Sequence, residues 1–441
     1  MRAFRRIALT LLASLSLAAC AGRSAAPGTP TLVPTPGVQA SREQPVALAQ
    51  IATPTLTPTS ASPPVAPRPD VVVWWPVELL HGPAPAVDEG LSARFDAFQE
   101  GHGLTLLVRT KRSEGAGGIM STLRTASRVA PDALPDLALI TRANMRLAVE
   151  DGLLYPLEGL LPATLTGSLY RQARALGEVD DTLYGLAYTV ETQHIAYHQA
   201  AFQEPPTTFE AVLEARQPFA FAVGGEGGVS DTLLIQYVAA GGRVVSEDGS
   251  PLLEEAPLLA VLTFYQQAVE AGLLGPDVLG YRSAADYWDL FLSGALGLAQ
   301  VDSTTYLAAS GQVPNVAAAP VPTQGGQALT TLRGWLWVLT TPDPDRQARA
   351  VEFLIWMMEQ ENHAAFARLL GRLPAQPAAL RAWQSGAYGR LTGQLLEGEA
   401  LILVGEVNPT VAAALQAALL AVLNGQQTAQ QAATEAVAAV Q

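Results

Sequence analysis

Val71-Val72-Val73-Trp74-Trp75 decides the architecture. Five large apolar residues in a row, three of them β-branched, read as a buried strand. Its neighbours in sequence supply its company. Leu91 to Glu100 has helical spacing, with Leu91, Phe95 and Phe98 on one side. Gly101-His102-Gly103 breaks that run, and Leu104–Arg109 reads as a second strand. A helix over Ile119–Val129 precedes Pro135-Asp136 and a third strand, Leu137–Ile140. Strand and helix in alternation predict a parallel sheet covered by helices, hence an α/β protein. Such sheets bind ligands at the carboxyl ends of their strands, here just past Val73, Arg109 and Ile140.

The second half continues the mixture. Leu183–Tyr188 and Thr189–Tyr197 read as extended. Phe209–Ala215, Thr232–Ala240, Leu258–Ala271 and Ala284–Leu292 read as helices, and Gly297–Val301 as a short strand. Leu332–Leu339 is a further apolar run with Trp335 and Trp337 alternating on it. Arg349–Leu370 reads as one long amphipathic helix. Val411–Leu423 and Ala429–Val440 are Ala-rich helices, and the former is too short to span a bilayer.

Upstream of Val71 the composition changes. Arg2, Arg5 and Arg6, an apolar run from Ile7 to Ala19 and the small-residue stretch Leu17-Ala18-Ala19-Cys20 make a secretory signal over 1–20. Its end resembles a bacterial lipobox, which implies that Cys20 receives lipid. Cys20 is the only cysteine, so it has neither a disulfide partner nor zinc-site companions. Residues 21–70 hold 11 of the 32 prolines and no aromatic residue. Such a segment cannot bury a core, and we expect a disordered stalk.

The chain has 441 residues and a formal net charge of −14, more acidic still without the arginines of the signal. A phosphate-backbone binder needs a basic surface, so the balance argues against nucleic acid. It also argues against adhesion to anionic lipid, leaving the lipid at Cys20 as the expected hold on the membrane.

From Val71 onward, a series of short segments resembles, in order, the family 1 extracellular solute-binding proteins of ABC importers. They are Val71–Trp75, Leu134-Pro135-Asp136-Leu137, Asp151-Gly152-Leu153-Leu154-Tyr155-Pro156-Leu157, Leu183-Tyr184-Gly185-Leu186-Ala187-Tyr188, Pro205-Pro206-Thr207-Thr208-Phe209, Phe291-Leu292-Ser293-Gly294-Ala295, Arg333-Gly334-Trp335 and Gly371-Arg372-Leu373-Pro374-Ala375. The resemblance implies a two-lobe, periplasmic-binding-protein type II-like fold with hinge crossovers and a cleft between the lobes. Mapped here, it implies a first lobe from 71–190 and 334–378, a second from 191–333, and 379–441 as second-lobe and hinge helices. The crossings fall near Thr189–Ile195, Thr331–Trp335 and Pro377–Gln384. The expected partners are a small polar solute, a carbohydrate by preference, and the importer's membrane permease. The expected protein is a monomer, anchored to the cell membrane and facing outward, with no cofactor and no metal.

The candidate ligand-binding residues follow from that placement. Of Trp74 and Trp75, which point opposite ways on a strand, Trp75 is expected to face the cleft, where an indole suits the apolar face of a sugar. Thr141 and Arg142 follow the third strand, and Arg142 carries a planar fork of donors. Glu191 lies on the first crossing and can accept from hydroxyls. Asp231 opens a helix after a glycine-rich loop, where capping competes with a ligand role. Asp302, Ser303 and Tyr306 follow the strand Gly297–Val301, and Trp335 lies on the return crossing.

Two other classes compete. A secreted glycoside-type hydrolase needs two carboxylates across a cleft, and a sensory or adhesive surface protein would use the same fold without transport. His194 and His198 are four apart, but Ile195 stands where a zinc protease has glutamate, and no G-x-S-x-G turn is present.

Overall fold

Six consecutive buried residues form the first strand, Val71–Pro76. It runs parallel to Leu106–Lys111 on one side and to Leu137–Thr141 on the other. A central strand in such a sheet is covered on both faces, which is why the run is apolar without alternation. The computed structural model describes residues 68–80, 86–202, 204–225, 227–309, 314–398, 401–403 and 407–441. Cys20, the signal and all but the last three residues of the expected stalk lie outside the described residues.

Two long strands carry the chain between two hydrophobic cores. Gly185–His198 is one continuous strand, where the sequence suggested two extended pieces. Its first half pairs antiparallel with Thr330–Leu339, and its second half pairs with Leu298–Asp302 and Val316–Ala319. Thr330–Leu339 in turn lies antiparallel to Leu137–Thr141. The sheet order is therefore Leu106–Lys111, Val71–Pro76, Leu137–Thr141, Thr330–Leu339, Gly185–His198, Leu298–Asp302, Phe219–Ala220. The first core gathers Val71, Trp75, Leu139, Tyr188, Trp337, Phe353 and Phe366. The second gathers Ile195, Phe221, Leu233, Tyr265, Leu298, Val411 and Leu419. The described residues form one compact unit around these cores.

Other expected elements differ too, and the helix expected over Ala284–Leu292 is a short 3-10 turn, Ala284–Asp286, and a helix, Trp288–Leu292, parted at Tyr287. The helix anticipated over Arg349–Leu370 is two helices, Pro344–Met357 and Gln360–Leu370, separated at Met358-Glu359, where Glu359 leaves the helical region (φ −57°, ψ 136°). Both bury an aromatic, Phe353 and Phe366, in the same core, so the apolar period runs across the break. The resemblance puts the last crossing near Pro377–Gln384, yet Pro377–Trp383 is a helix, with Leu380 in the first core. Leu396 still belongs to the first core and Val411 to the second, so the chain changes core between them. On the way Leu401–Leu403 runs parallel to Thr330–Leu332.

Asp136 anchors the amino end of the third strand. Its carboxylate, 0% exposed, accepts from the Val72 N–H at 2.7 Å and from Arg346 Nε at 2.5 Å. Among the described residues no helix is long and apolar enough to cross a membrane.

Candidate functional site

The turns that follow the three parallel strands open onto one cavity of about 480 Å3. Glu78 comes after the first strand and Ser113 and Glu114 after the second, while Thr141 ends the third and Arg142 follows it. The two crossing strands supply Thr189, Glu191, Arg333 and Trp335, and the turn after helix Gln360–Leu370 supplies Arg372. Gly371 ends that helix in the left-handed region, φ +61°, as a glycine at this helix end commonly does. Gly334 lets the crossing strands close up: a Cβ there would stand 2.5 Å from the Thr189 carbonyl oxygen. A pocket of this size at strand carboxyl ends suits a small polar solute.

Four of the sequence candidates meet there: Thr141, Arg142, Glu191 and Trp335. The half-buried Trp335 packs against the edge of the first core, while Trp337, two residues deeper, is fully buried. Thr141 also caps helix Arg142–Glu150, accepting from the Asn144 N–H. Arg142 donates through Nη1 to the carbonyls of Ala175, Leu176 and Glu178 at 2.8, 2.6 and 3.0 Å. That guanidinium therefore closes the end of helix Arg171–Leu176 while lining the cavity.

The remaining candidates stand behind the cavity wall. Asp302 accepts from Thr305 N–H and Oγ1 at 2.8 and 2.7 Å, capping helix Ser303–Ala309. The buried Ser303 Oγ accepts from the Thr192 N–H. Tyr306 stacks on Tyr388 at 4.6 Å and meets His194 edge-on at 5.1 Å. Asp231 binds Arg333 with both oxygens. Trp75 is not at the cleft. It is 1% exposed, edge-on to Trp337, Tyr188 and Phe95. The strand is covered on both faces, so neither neighbouring tryptophan reaches solvent. Trp74 is 2% exposed, with the Lys111 ammonium 4.6 Å from its ring centre.

Glu191 is the electrostatic centre. Its Oε2 accepts from Thr304 Oγ1 at 3.0 Å and lies 3.7 Å from Arg372 Nη1. Arg372 also donates to Thr304 Oγ1 and to the Glu78 carbonyl, both at 3.3 Å. Burial first, then the nearby Asp302 carboxylate, push the Glu191 carboxyl up to about 7, against Arg372, Arg333 and the Thr304 hydroxyl. On the same strand, burial pushes His194 down to about 4, and its Nε2 lies 3.0 Å from the Tyr388 hydroxyl.

Sequence reasoning passed over Glu78, Ser113, Arg333 and Arg372. The last two sit inside quoted motifs, Arg333-Gly334-Trp335 and Gly371-Arg372-Leu373, beside the glycines that shape the cleft. Their cationic charge was the available signal. Among the described residues no group of three or more His, Cys, Asp or Glu could hold a metal ion.

Residues 93–388 match the family model of the bacterial extracellular solute-binding proteins. The chain belongs to that family. Among solved structures, the cyclic alpha-maltosyl-1,6-maltose binding protein from Arthrobacter globiformis is similar at 19% identity and a TM-score of 0.66, over 84% of this chain and 97% of that one. The sugar-binding protein MalE from Xanthomonas citri is similar at 17% identity and a TM-score of 0.66, over 84% and 96%. The GacH receptor of Streptomyces glaucescens, solved unliganded and with acarbose, is similar at 15% identity and a TM-score of 0.62, over 83% and 96%. Identities this low establish the two-lobe solute-binding fold. No curated protein matches the chain.

Proposed function

We propose that this solute-binding protein captures a neutral carbohydrate, an oligosaccharide by preference, and delivers it to an ABC importer permease by closing its lobes around it. The observation that carries the reading is how the cavity's charges are satisfied. Arg142 is engaged with backbone carbonyls, Arg333 with Asp231, and Arg372 with Thr304, the Glu78 carbonyl and Glu191. The Glu78 carboxylate accepts only from the Ser113 N–H, and that of Glu114 only from the Asn144 amide, among the described residues. The cavity thus offers acceptors for hydroxyl hydrogens and an indole face, and little for an anion. The solved sugar-binding proteins of the same fold point the same way.

Closure would rotate the body around one core against the body around the other, with Gly185–His198 and Thr330–Leu339 as hinges. We further infer that Cys20 carries the lipid, that 21–70 is a stalk, and that the protein works as a monomer on the outer side of the cell membrane. Intact mass of protein purified from its host tests the lipid.

The solute is tested by thermal shift of the full chain with maltotriose, glucose, polyols, amino acids and glycerol phosphodiesters, since a ligand of the folded state raises Tm by mass action. A shift with neutral saccharides that grows with their concentration is expected. A shift with amino acids or phosphodiesters alone would overturn the carbohydrate reading.

A further inference from the structure

A second hollow, of about 400 Å3, lies between helix Pro377–Trp383 and helix Ala387–Glu397 and shares no lining residue with the cleft. Tyr170 borders it. The residue is almost wholly buried, 4% exposed, and its hydroxyl, the atom that is not itself buried, has no hydrogen-bond partner among the described residues. Burial first, then Glu397, raise the phenol's pKa, so the hydroxyl stays a donor. Arg381, Arg390, Gln384 and Gln394 line the same hollow, and no side chain of the four makes a hydrogen bond or ion pair within the described residues.

Gly393 gives independent support. It sits inside helix Ala387–Glu397, where glycine is a much poorer helix former than alanine. Packing does not require it: a Cβ there would lie 3.9 Å from Leu380 Cδ2 and 3.9 Å from the Tyr170 hydroxyl, ordinary contact distances. What the missing side chain does is leave that hydroxyl uncovered toward the hollow.

We propose that this hollow is a second ligand site, for a small sugar acid. Its carboxylate would lie against the Arg381 and Arg390 guanidiniums, which outnumber the one carboxylate, Glu397, that lines the hollow among the described residues. Its hydroxyls would meet Tyr170, Gln384, Gln394 and Glu397. The site does not depend on what the cleft binds.

Calorimetric titration of the full chain with D-glucuronate, D-glucose and inorganic phosphate tests it. Glucuronate should bind saturably, at least tenfold tighter than glucose. The R381Q/R390Q pair should weaken it at least tenfold, and Gly393→Leu should abolish it, both leaving cleft binding unchanged. Gly393→Ala should raise Tm, which separates loss of access from loss of folding. No saturable heat with glucuronate at millimolar concentration, equal binding of glucose, or phosphate binding without glucuronate would overturn the proposal. So would a loss caused by Trp335→Ala, which would place the glucuronate in the cleft.

Discussion

Arg333 and Asp231 form a two-pronged ion pair, Nη1 to Oδ2 at 2.8 Å and Nη2 to Oδ1 at 3.0 Å. It ties the return crossing strand to the first turn of helix Asp231–Ala239, whose Leu233 and Leu234 lie in the second core. Arg333 also stands opposite Glu191 in the register of the two crossing strands. Arg333→Gln removes the cation from both. We expect the solute to bind at least tenfold more weakly, with about 1–3 kcal/mol lost from apo stability, the range for hydrogen bonds to charged groups. Arg333→Lys should restore little, because an ammonium cannot make the paired contact. Wild-type affinity in Arg333→Gln would remove this residue from the binding machinery.

Trp335 and Trp75 should separate function from stability. Trp335 is half-buried at the cavity wall, whereas Trp75 is enclosed by aromatic rings. Trp335→Ala should weaken saccharide binding by about tenfold or more, with a small change in the apo unfolding midpoint. Trp75→Ala opens a core cavity and should cost about 3–5 kcal/mol in urea unfolding. The reverse pattern would make Trp335 a packing residue only.

Glu191 sets a pH dependence whose sign can be worked out. Folded, it keeps its proton up to about 7; unfolded, it loses it near the ordinary glutamate value of 4.5. Its protonated form therefore stabilises the fold fully below 4.5, and that contribution fades as pH rises through about 7. The depressed His194, at about 4 against 6.5 unfolded, acts oppositely, since its contribution is present above 6.5 and fades as pH falls. Glu191→Gln should thus gain apo stability over wild type as pH rises from 5 to 8, while the acid-side loss persists. A Tm difference that stays flat across that window would show that the carboxyl is charged throughout.

Much of the architecture was legible because buried strands and amphipathic helices carry their own periodicity. Val71–Pro76, Ile119–Val129 and Leu137–Thr141 are read almost to the residue. Periodicity says nothing about which side of a doubly covered strand is wet, and Trp75 was misplaced for that reason. It also runs through a helix break when both halves face one core, as at Glu359. The cavity was partly legible, because the carboxyl-end rule names turns after strands and so reaches Thr141 and Arg142. It could not reach Arg372, which comes to the cavity from the turn after a helix more than two hundred residues later. Nor could it tell that Asp302 is consumed by capping Ser303–Ala309, since a capping carboxylate and a ligand-binding one look alike in sequence.

Asp136 supplies the sharpest test that fold and site can be perturbed apart. Its carboxylate accepts from the Val72 N–H and from Arg346, with Arg68 3.4 Å away, at the amino end of the strand whose other end meets the cleft. Asp136→Ala would leave the Val72 amide and Nε of the mostly buried Arg346 without their acceptor, although Arg346 Nη2 keeps the Leu134 and Pro135 carbonyls. Breaking a buried pair by removing one partner costs about 3–5 kcal/mol. Asp136→Asn, which keeps an oxygen for one of the donors, should cost less. At temperatures where each variant is folded, both should bind solute as wild type does, because nothing at the cavity has changed. Urea unfolding combined with titration checks this. A loss of affinity in the folded Asp136→Asn protein would mean that the strand transmits its amino-end geometry to the site.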